Sequence, residues 1–281
     1  MALQSRKKFN LLELPFETES KAKDPIQLDD RQHRKVTLTS RDLRLMQLLY
    51  QSVALSFPQI ERMVFEGRSK STVLNRLARL ESGDVIKRMR VHGLANSGAT
   101  ASIKVVFQLT KRGIRELSKV PGMRVERDEP IRLHGHSLVH DILLVDLASA
   151  LRLSFPSSQT TDGRLWKEAQ DPQQPKPDLV LSLPGDEKPW AVELELTSKS
   201  EKRYRDIVLR YRLSRNFDRV LYVTDQPKVI RALTKILEGR FMKLESSEPT
   251  KFVHTSLDAL LKLTNLNRKG VIKNERHPSE N

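Results

Sequence analysis

The chain contains no cysteine among its 281 residues. Disulfide bonds, zinc sites with thiolate ligands and cysteine nucleophiles are therefore excluded. No run of 18 apolar residues occurs, so we expect no segment that inserts into a membrane. The first residues are basic but lack a long apolar stretch, so no secretory signal is predicted there. Together these absences suggest a cytoplasmic protein.

The chain has fewer acidic than basic residues, with 35 aspartates and glutamates against 50 lysines and arginines, which gives a net charge of +15. Such a charge suggests a polyanionic partner, most often nucleic acid. Residues 36–120 hold 15 basic and 6 acidic residues, whereas residues 121–264 hold 23 and 21. This difference predicts one module that binds the polyanion and a second module with another role.

Composition and periodicity divide the chain into five segments. Residues 1–35 mix charges with prolines and show no periodicity, which predicts a flexible N-terminal segment. Residues 36–120 predict a compact binding domain, and residues 121–133 predict a linker. A second domain is expected over 134–264, followed by a flexible tail over 265–281.

The binding domain shows three helical patterns followed by two β-rich runs. The first helix begins with cap residues at Thr39, the second contains Pro58 in its first turn, and the third ends at Gly83. The β-rich runs flank the loop GLANSGATA, and a last helix begins with Thr110. This order is that of a winged helix-turn-helix, in which the third helix enters the major groove and the hairpin contacts the DNA backbone.

The predicted DNA contacts are outward polar residues of the third helix and basic residues of the hairpin. On the helix they are Lys70, Ser71, Asn75, Arg76 and Arg79. On the hairpin they are Lys87, Arg88, Arg90 and Lys104. The two arginines of the helix are placed to reach base edges, and the hairpin supplies charge for phosphates. A solvated helical face, or a winged helix that binds protein, is the alternative.

The second domain predicts the order helix, three strands, helix, strand, helix. Its strands are expected at 163–169, at Leu179–Leu183, at Trp190–Leu196 and within FDRVLYVTD. A strand, a helix and a further strand in succession imply a crossover in a mixed sheet with helices packed on it. The expected fold class is therefore α/β, or α+β for the chain as a whole.

Three carboxylates accompany the two middle strands. Alternation along the strand places Glu193 and Glu195 on one face, and Asp178 directly precedes the neighbouring strand. Carboxylates set among buried apolar residues are costly unless something compensates their charge. Mg²⁺ or Mn²⁺, which prefer oxygen ligands, suit such a cluster. The alternative is the solvated face of an amphipathic strand.

The order of elements, with Pro177-Asp178 before one strand and Glu193-Leu194-Glu195 on the next, resembles the core of the PD-(D/E)XK nuclease superfamily. The resemblance implies that Asp178 and Glu193 hold Mg²⁺ or Mn²⁺. It also implies that a lysine orients or activates the attacking water. Glu195 stands where that lysine is expected.

Three nearby basic residues are candidates to replace the missing lysine. Lys199 follows on the same face of the strand, but four residues of strand span about 13 Å, so it reaches the metal only if the strand bends. Lys202 and Arg203, on the next helix, are migrated substitutes of the kind that the superfamily uses. The basic outer face of that helix, from Lys202 to Arg215, would hold backbone phosphate.

Tyr204 and Tyr211 lie on the apolar stripe of the same helix. A tyrosine can serve as the nucleophile of a transesterifying nickase. Their helical spacing favours a place in the core instead.

A winged helix, then a helix with the pattern H-x-x-x-H-D from His136 to Asp141, then the carboxylate motif, is similar to the replication-relaxation family of plasmids and integrative elements and to MobC-class mobilisation proteins. The resemblance implies binding to duplex DNA at an origin of transfer or replication, metal-dependent nicking or relaxation there, and other relaxosome proteins or a second copy of the chain as partners. The alternative is a winged-helix transcriptional regulator whose nuclease-like domain is a catalytically inactive interaction module.

Overall fold

The computed structural model describes residues 26–27, 36–90, 105–123, 125–132, 135–166, 174–238 and 252–262. Across these residues the fold is mixed α/β, as predicted, with antiparallel and mixed sheets. The chain divides into two compact units, one ending at Val145 and the next beginning at Asp146. Most of the predicted segment 1–35 and all of 265–281 lie outside the described residues.

The first unit contains short strands and four helices in the described ranges. They are β1 (Ile26–Gln27), β2 (Thr37–Leu38), α1 (Ser40–Gln51), β3 (Leu55–Ser56), α2 (Phe57–Val64), α3 (Lys70–Ser82), β4 (Ile86–Arg90), β5 (Val105–Leu109) and α4 (Lys111–Ser118). Strands β3, β5 and β4 form an antiparallel sheet in that order. Helices α1, α2 and α3 and strands β4 and β5 occur where the sequence predicts them.

Local capping explains where these helices begin. Thr39 and Asp42 form a capping box on α1, in which the Thr39 N–H donates to Asp42 Oδ2 at 2.7 Å. The Ser69 hydroxyl accepts the N–H of Thr72 and caps α3. The apolar faces of α1 and α3 are buried with β5, and their fully buried residues include Leu45, Leu49, Leu77, Leu80 and Phe107.

Residues 125–132, within the predicted linker, belong to the first unit and contact its helix α1 and strand β5. The Tyr50 hydroxyl accepts the N–H groups of Glu126 at 2.7 Å and Arg127 at 3.0 Å. The guanidinium of Arg127 lies 4.0 Å from the centre of the Tyr50 ring. The Gln108 side chain donates to the carbonyl of Ile131 at 2.5 Å. These contacts join residues 125–132 to α1 and β5.

The second unit is built on a five-stranded sheet. After α5 (Gly135–Ser154), which crosses the boundary between the units, come β6 (Gln159–Asp162), β7 (Leu179–Ser182), β8 (Trp190–Leu194), α6 (Glu201–Leu213), β9 (Val220–Val223), α7 (Pro227–Glu238), β10 (Phe252–Thr255) and a helix over 257–262. The strand order is β10-β9-β8-β7-β6. Strand β9 runs parallel to β8 and β10, and the other pairs are antiparallel, so the sheet is mixed as predicted.

Two predicted strands differ from the observed ones. The strand expected at 163–169 lies earlier, at Gln159–Asp162, because the Asp162 side chain accepts the N–H of Arg164 and starts a 3₁₀ turn there. Residues 167–173 are outside the described ranges. Strand β8 ends at Leu194 rather than Leu196, since pairing stops after the Glu195 N–H donates to the Val223 carbonyl and the chain bends at Thr197.

The core of the second unit lies between the sheet and its helices. All four residues of β9 are buried, as its continuous apolar pattern predicts. Helix α6 buries Tyr204, Val208 and Tyr211, which confirms the predicted inward stripe. This packing places two tyrosine hydroxyls close to the carboxyl end of β8.

Candidate functional site

The acidic cluster forms where β7 begins and β8 ends. Because these strands are antiparallel, with Leu179 opposite Val192, Asp178 lies beside the end of β8. The Asp178 N–H donates to the Val192 carbonyl at 3.1 Å, and Asp178 Oδ2 accepts the N–H of Leu194 at 2.8 Å. The pairing of two strands therefore brings Asp178 next to Glu193.

Gly163 supports Asp178 from the 3₁₀ turn after β6. Its N–H donates to the Asp178 carbonyl at 2.9 Å. A methyl group added at Gly163 would lie 1.6 Å from the carbonyl oxygen of Pro177, which is far inside van der Waals contact. Glycine is therefore required for this close approach of two backbones.

Glu193 is half-buried, and its carboxyl group accepts a hydrogen bond from the Tyr211 hydroxyl. Burial is the main cause that raises the pKa of Glu193 to about 8, and the charge of Asp178 is the second. The Tyr211 bond and the charge of Lys199 act in the opposite direction but do not cancel this increase. Loss of the Glu193 proton is therefore disfavoured unless a positive charge compensates the carboxylate.

Glu195 is only 5% exposed, and its partner is Lys199. The Lys199 ammonium group donates to Glu195 Oε2, and the Lys199 N–H donates to the Tyr204 hydroxyl at 3.0 Å. The chain bends at Thr197, so Lys199 folds back instead of continuing the strand. Its charge acts on Glu193 as well.

The structure therefore brings together four of the predicted catalytic residues: Asp178, Glu193, Glu195 and Lys199. Lys202 and Arg203 lie on the exposed face of α6. On α5, His140 and Asp141 are half-buried, and the side chain of His136 lies outside the described part of the chain.

Tyr222 is a site residue that the sequence analysis missed. It lies on β9 in register with Glu193, and its side chain is 2% exposed. Its hydroxyl has no hydrogen-bond partner among the described residues. Burial, followed by the charges of Glu193 and Glu195, raises the pKa of Tyr222. Strand alternation alone could not find this residue, because the register between β8 and β9 is a tertiary property.

The chemistry of these donors fits a divalent cation held by two carboxylates. Asp178 and Glu193 are close enough for the charge of one to raise the pKa of the other, and a bound cation would relieve that repulsion. Across the described residues, no group of three or more acidic or histidine side chains is arranged to hold a metal. Mg²⁺ often takes only one or two carboxylates and completes its shell with water and substrate phosphate.

On α3, four of the five predicted DNA contacts are exposed: Lys70, Ser71, Asn75 and Arg79. Arg76 is instead held by the first unit. Its Nε donates to Asp42 Oδ1 at 2.8 Å, and its Nη2 donates to the Thr37 carbonyl at 2.7 Å. Asp42 is fully buried, so Arg76 compensates a buried charge.

The predicted hairpin contacts are exposed on β4 where the structure describes them. Lys87, Arg88 and Arg90 all reach solvent, and Lys104 lies outside the described residues. Arg88 pairs with Glu81 at 3.1 Å and lies 5.5 Å from the centre of the Phe107 ring. Arg88 therefore has contacts within the first unit, and Lys87 and Arg90 are exposed.

Comparison with known families places these features in context. The family model described as replication-relaxation matches residues 46–217, which is more than half of the chain. The chain belongs to the replication-relaxation family. The matched region begins within α1 and ends after α6, so it includes α3 and the acidic cluster. Membership indicates a role in the replication or mobilisation of plasmids.

No curated protein matches this replication-relaxation protein, and no solved structure matches it. In the part of the chain that the structure describes, every helix is too short or too polar to cross a membrane.

Proposed function

We propose that this replication-relaxation protein binds duplex DNA at a plasmid origin and nicks it with a divalent cation held by Asp178 and Glu193. The observation that carries the proposal is the convergence of these carboxylates with Lys199 at the end of β8. Family membership supports the plasmid setting. Basic residues exceed acidic ones by 15 to 6 over 36–120, which supports the binding step.

The first unit is the proposed DNA-binding module, with a winged-helix arrangement. Its three helices, antiparallel sheet and exposed polar face on α3 support placing that helix in the major groove. Lys87 and Arg90 on β4 would contact phosphates. In the second unit, the exposed basic residues Lys202, Arg203 and Arg210 on α6 would hold the backbone near the acidic cluster.

For the second unit we propose a PD-(D/E)XK-like core in which each residue has a distinct task. Asp178 and Glu193 would hold Mg²⁺ or Mn²⁺, and Tyr211 fixes the orientation of Glu193. The bound cation would polarise a phosphodiester and lower the pKa of a water molecule. In the hydrolysis, the water oxygen forms a bond to phosphorus while a bond from phosphorus to a sugar oxygen breaks.

Lys199 takes the place of the missing motif lysine in this proposal. Its ammonium group is held by Glu195, and its charge acts on Glu193. From there it would orient the attacking water or stabilise negative charge on the phosphate. Glu195 would act as a positioning residue, since it is already paired with Lys199.

The test is incubation of supercoiled plasmid carrying the cognate origin with purified protein and Mg²⁺, Mn²⁺ or EDTA. We expect open circles that depend on the metal with the wild type and none with Asp178→Ala. A matched control is Glu187→Gln, which changes an exposed acid in the turn between β7 and β8. Binding without nicking in either metal would contradict the catalytic part of the proposal.

A second candidate function is a DNA-binding regulator or accessory protein whose nuclease-like domain is inactive. Two observations favour it: Tyr211 occupies one oxygen of Glu193, and Lys199 neutralises Glu195. In this case Asp178→Ala and Glu193→Ala would leave plasmid transfer unchanged, provided that the variants fold. Loss of transfer with intact DNA binding would eliminate this candidate.

A further inference from the structure

The first two turns of α3 contain few side chains that are available to read bases. In helix-turn-helix proteins the N-terminal part of the recognition helix contacts base edges. The exposed residues in this part of α3 are Lys70, Ser71, Thr72, Leu74 and Asn75. Contacts within the first unit divide these residues into engaged and available ones.

The hydroxyl groups at the start of α3 are engaged with one another. Ser69 Oγ lies 3.0 Å from Ser71 Oγ and 2.8 Å from Thr72 Oγ1, and Ser69 also caps the helix. The ammonium group of Lys70 lies 5.8 Å from the centre of the Phe57 ring. The side chains of Lys70, Ser71 and Thr72 therefore already make contacts within the first unit.

Arg76 is withdrawn from base reading for a different reason. Its guanidinium binds the buried carboxylate of Asp42 and the carbonyl of Thr37. Moving it into a groove would leave the buried Asp42 without a cationic partner, which is costly. The first two turns of α3 therefore offer no arginine for the bidentate bond to guanine that is the commonest specific contact.

Leu74 and Asn75 remain available. Leu74 is 38% exposed, so its side chain is accessible to a ligand on the outer side of α3. Asn75 is exposed, and its amide forms no hydrogen bond with the residues that the structure describes. An asparagine amide pairs with N6 and N7 of adenine, and an aliphatic side chain packs on the methyl group of thymine.

We propose that Asn75 and Leu74 make this protein specific for A·T base pairs, Asn75 by hydrogen bonds to adenine and Leu74 by contact with a thymine methyl group. The inference rests on the proposed DNA binding by α3. Arg79, one turn after Asn75 and also exposed, belongs to the later part of the helix and reads a neighbouring position or a phosphate.

The first experiment is selection of duplexes from a randomised library with the full-length protein. Asn75→Ala, Leu74→Ala and Lys87→Ala are selected in parallel. We expect the wild type to require A·T pairs at two or more adjacent positions. Asn75→Ala and Leu74→Ala should each lose the preference at one of them, whereas Lys87→Ala should weaken binding to all sequences equally.

Base analogues then assign each contact to its atoms. Replacement of the selected adenine by 7-deazaadenine removes the N7 acceptor, and replacement of thymine by uracil removes only the methyl group. We expect 7-deazaadenine to weaken wild-type binding about tenfold and Asn75→Ala hardly at all. Uracil should weaken the wild type by a smaller factor and leave Leu74→Ala unaffected.

The outcomes separate this inference from the function on which it rests. If no duplex is retained at about 50 mM salt, the proposed DNA binding fails and the inference fails with it. If duplexes are retained but Asn75→Ala and Leu74→Ala select the same sequence as the wild type, DNA binding stands and the A·T assignment is overturned. Circular dichroism of the variants verifies folding, which substitutions at these exposed positions should preserve.

Discussion

The outer face of α3 and the acidic cluster at β8 compensate their charges in opposite ways. On α3 Lys70 and Arg79 face solvent, Glu81 pairs with Arg88, and Arg76 neutralises the buried Asp42. At the end of β8 Glu195 is buried and receives a bond from Lys199, and Glu193 is half-buried and receives a bond from Tyr211. An exposed face tolerates substitution, whereas a buried cluster depends on every neighbour. Mutations should therefore affect function first on α3 and stability first at β8, with Arg76 as the exception.

The largest difference should appear between two arginines of α3. Arg76→Ala leaves the buried Asp42 without its cationic partner, and we expect it to lower the free energy of unfolding by about 3 kcal/mol. Arg79→Ala, on the exposed side, should change it by less than about 0.5 kcal/mol while still weakening DNA binding. Urea denaturation of both variants measures this. Equal stability of the two would show that the ion pair contributes nothing.

Gly163→Ala should damage the acidic cluster without touching a carboxylate. The added methyl group would collide with the Pro177 carbonyl and displace Asp178, so we expect a loss of about 2 kcal/mol of stability and weaker Mn²⁺ binding. Gly67→Ala provides a control for the general cost of replacing a glycine, since nothing lies near that position and only its positive φ opposes the change. Mn²⁺ affinity equal to that of the wild type would contradict the positioning role of Gly163.

The stability of the metal-free protein should depend on pH through Glu193. Its folded-state pKa of about 8 lies above the ordinary value of 4.5, so the folded state binds this proton more tightly than the unfolded state. The stabilisation of the folded state by this proton is complete below pH 4.5 and is lost as the pH rises towards 8. Thermal unfolding across this window should show the decrease in the wild type.

Two additions make that pH experiment specific. Glu193→Gln carries no titrating group and should remove this part of the pH dependence. Mg²⁺ or Mn²⁺ should stabilise the wild type most at the high-pH end, because the cation competes with the proton for the carboxylate. A pH dependence that is the same in Glu193→Gln would assign it to another group.

Tyr211→Phe should have a smaller effect of the same kind. It removes the hydrogen bond that the half-buried carboxyl group of Glu193 accepts, and we expect a loss of about 1 kcal/mol of stability. Because that bond lowers the pKa of Glu193, its removal should raise this pKa further and shift the pH dependence upward. Tyr222→Phe is the matched control, since its hydroxyl has no hydrogen-bond partner among the described residues. An unshifted pH dependence in Tyr211→Phe would argue against the bond.

Much of the fold could be predicted from periodicity and end signals. The inward stripe of α6 and the buried strand β9 are strong local patterns, and the capping of α1 by Thr39 is visible in the sequence. Strands β3 and β6 were missed or shifted because they are short, and β3 pairs with β5 across a long separation in the chain.

The acidic cluster could be predicted as a set of residues but not as an arrangement. The motif spacing identified Asp178 and Glu193, and strand pairing puts them side by side. The contact between Lys199 and Glu195 depends on the bend at Thr197, and no glycine or proline near this position predicts that bend. The pair formed by Arg76 and Asp42 joins residues that are 34 positions apart, so local spacing could not indicate it.

Titration of the metal-free protein with Mn²⁺ by calorimetry tests the central claim most directly, because it does not require the DNA site. We expect one site per chain in the wild type, loss of binding in Asp178→Asn and Glu193→Gln, and unchanged binding in Glu187→Gln. Proton release that accompanies binding should disappear in Glu193→Gln. Equal Mn²⁺ binding by the wild type and Asp178→Asn would contradict the claim that these two carboxylates hold the metal.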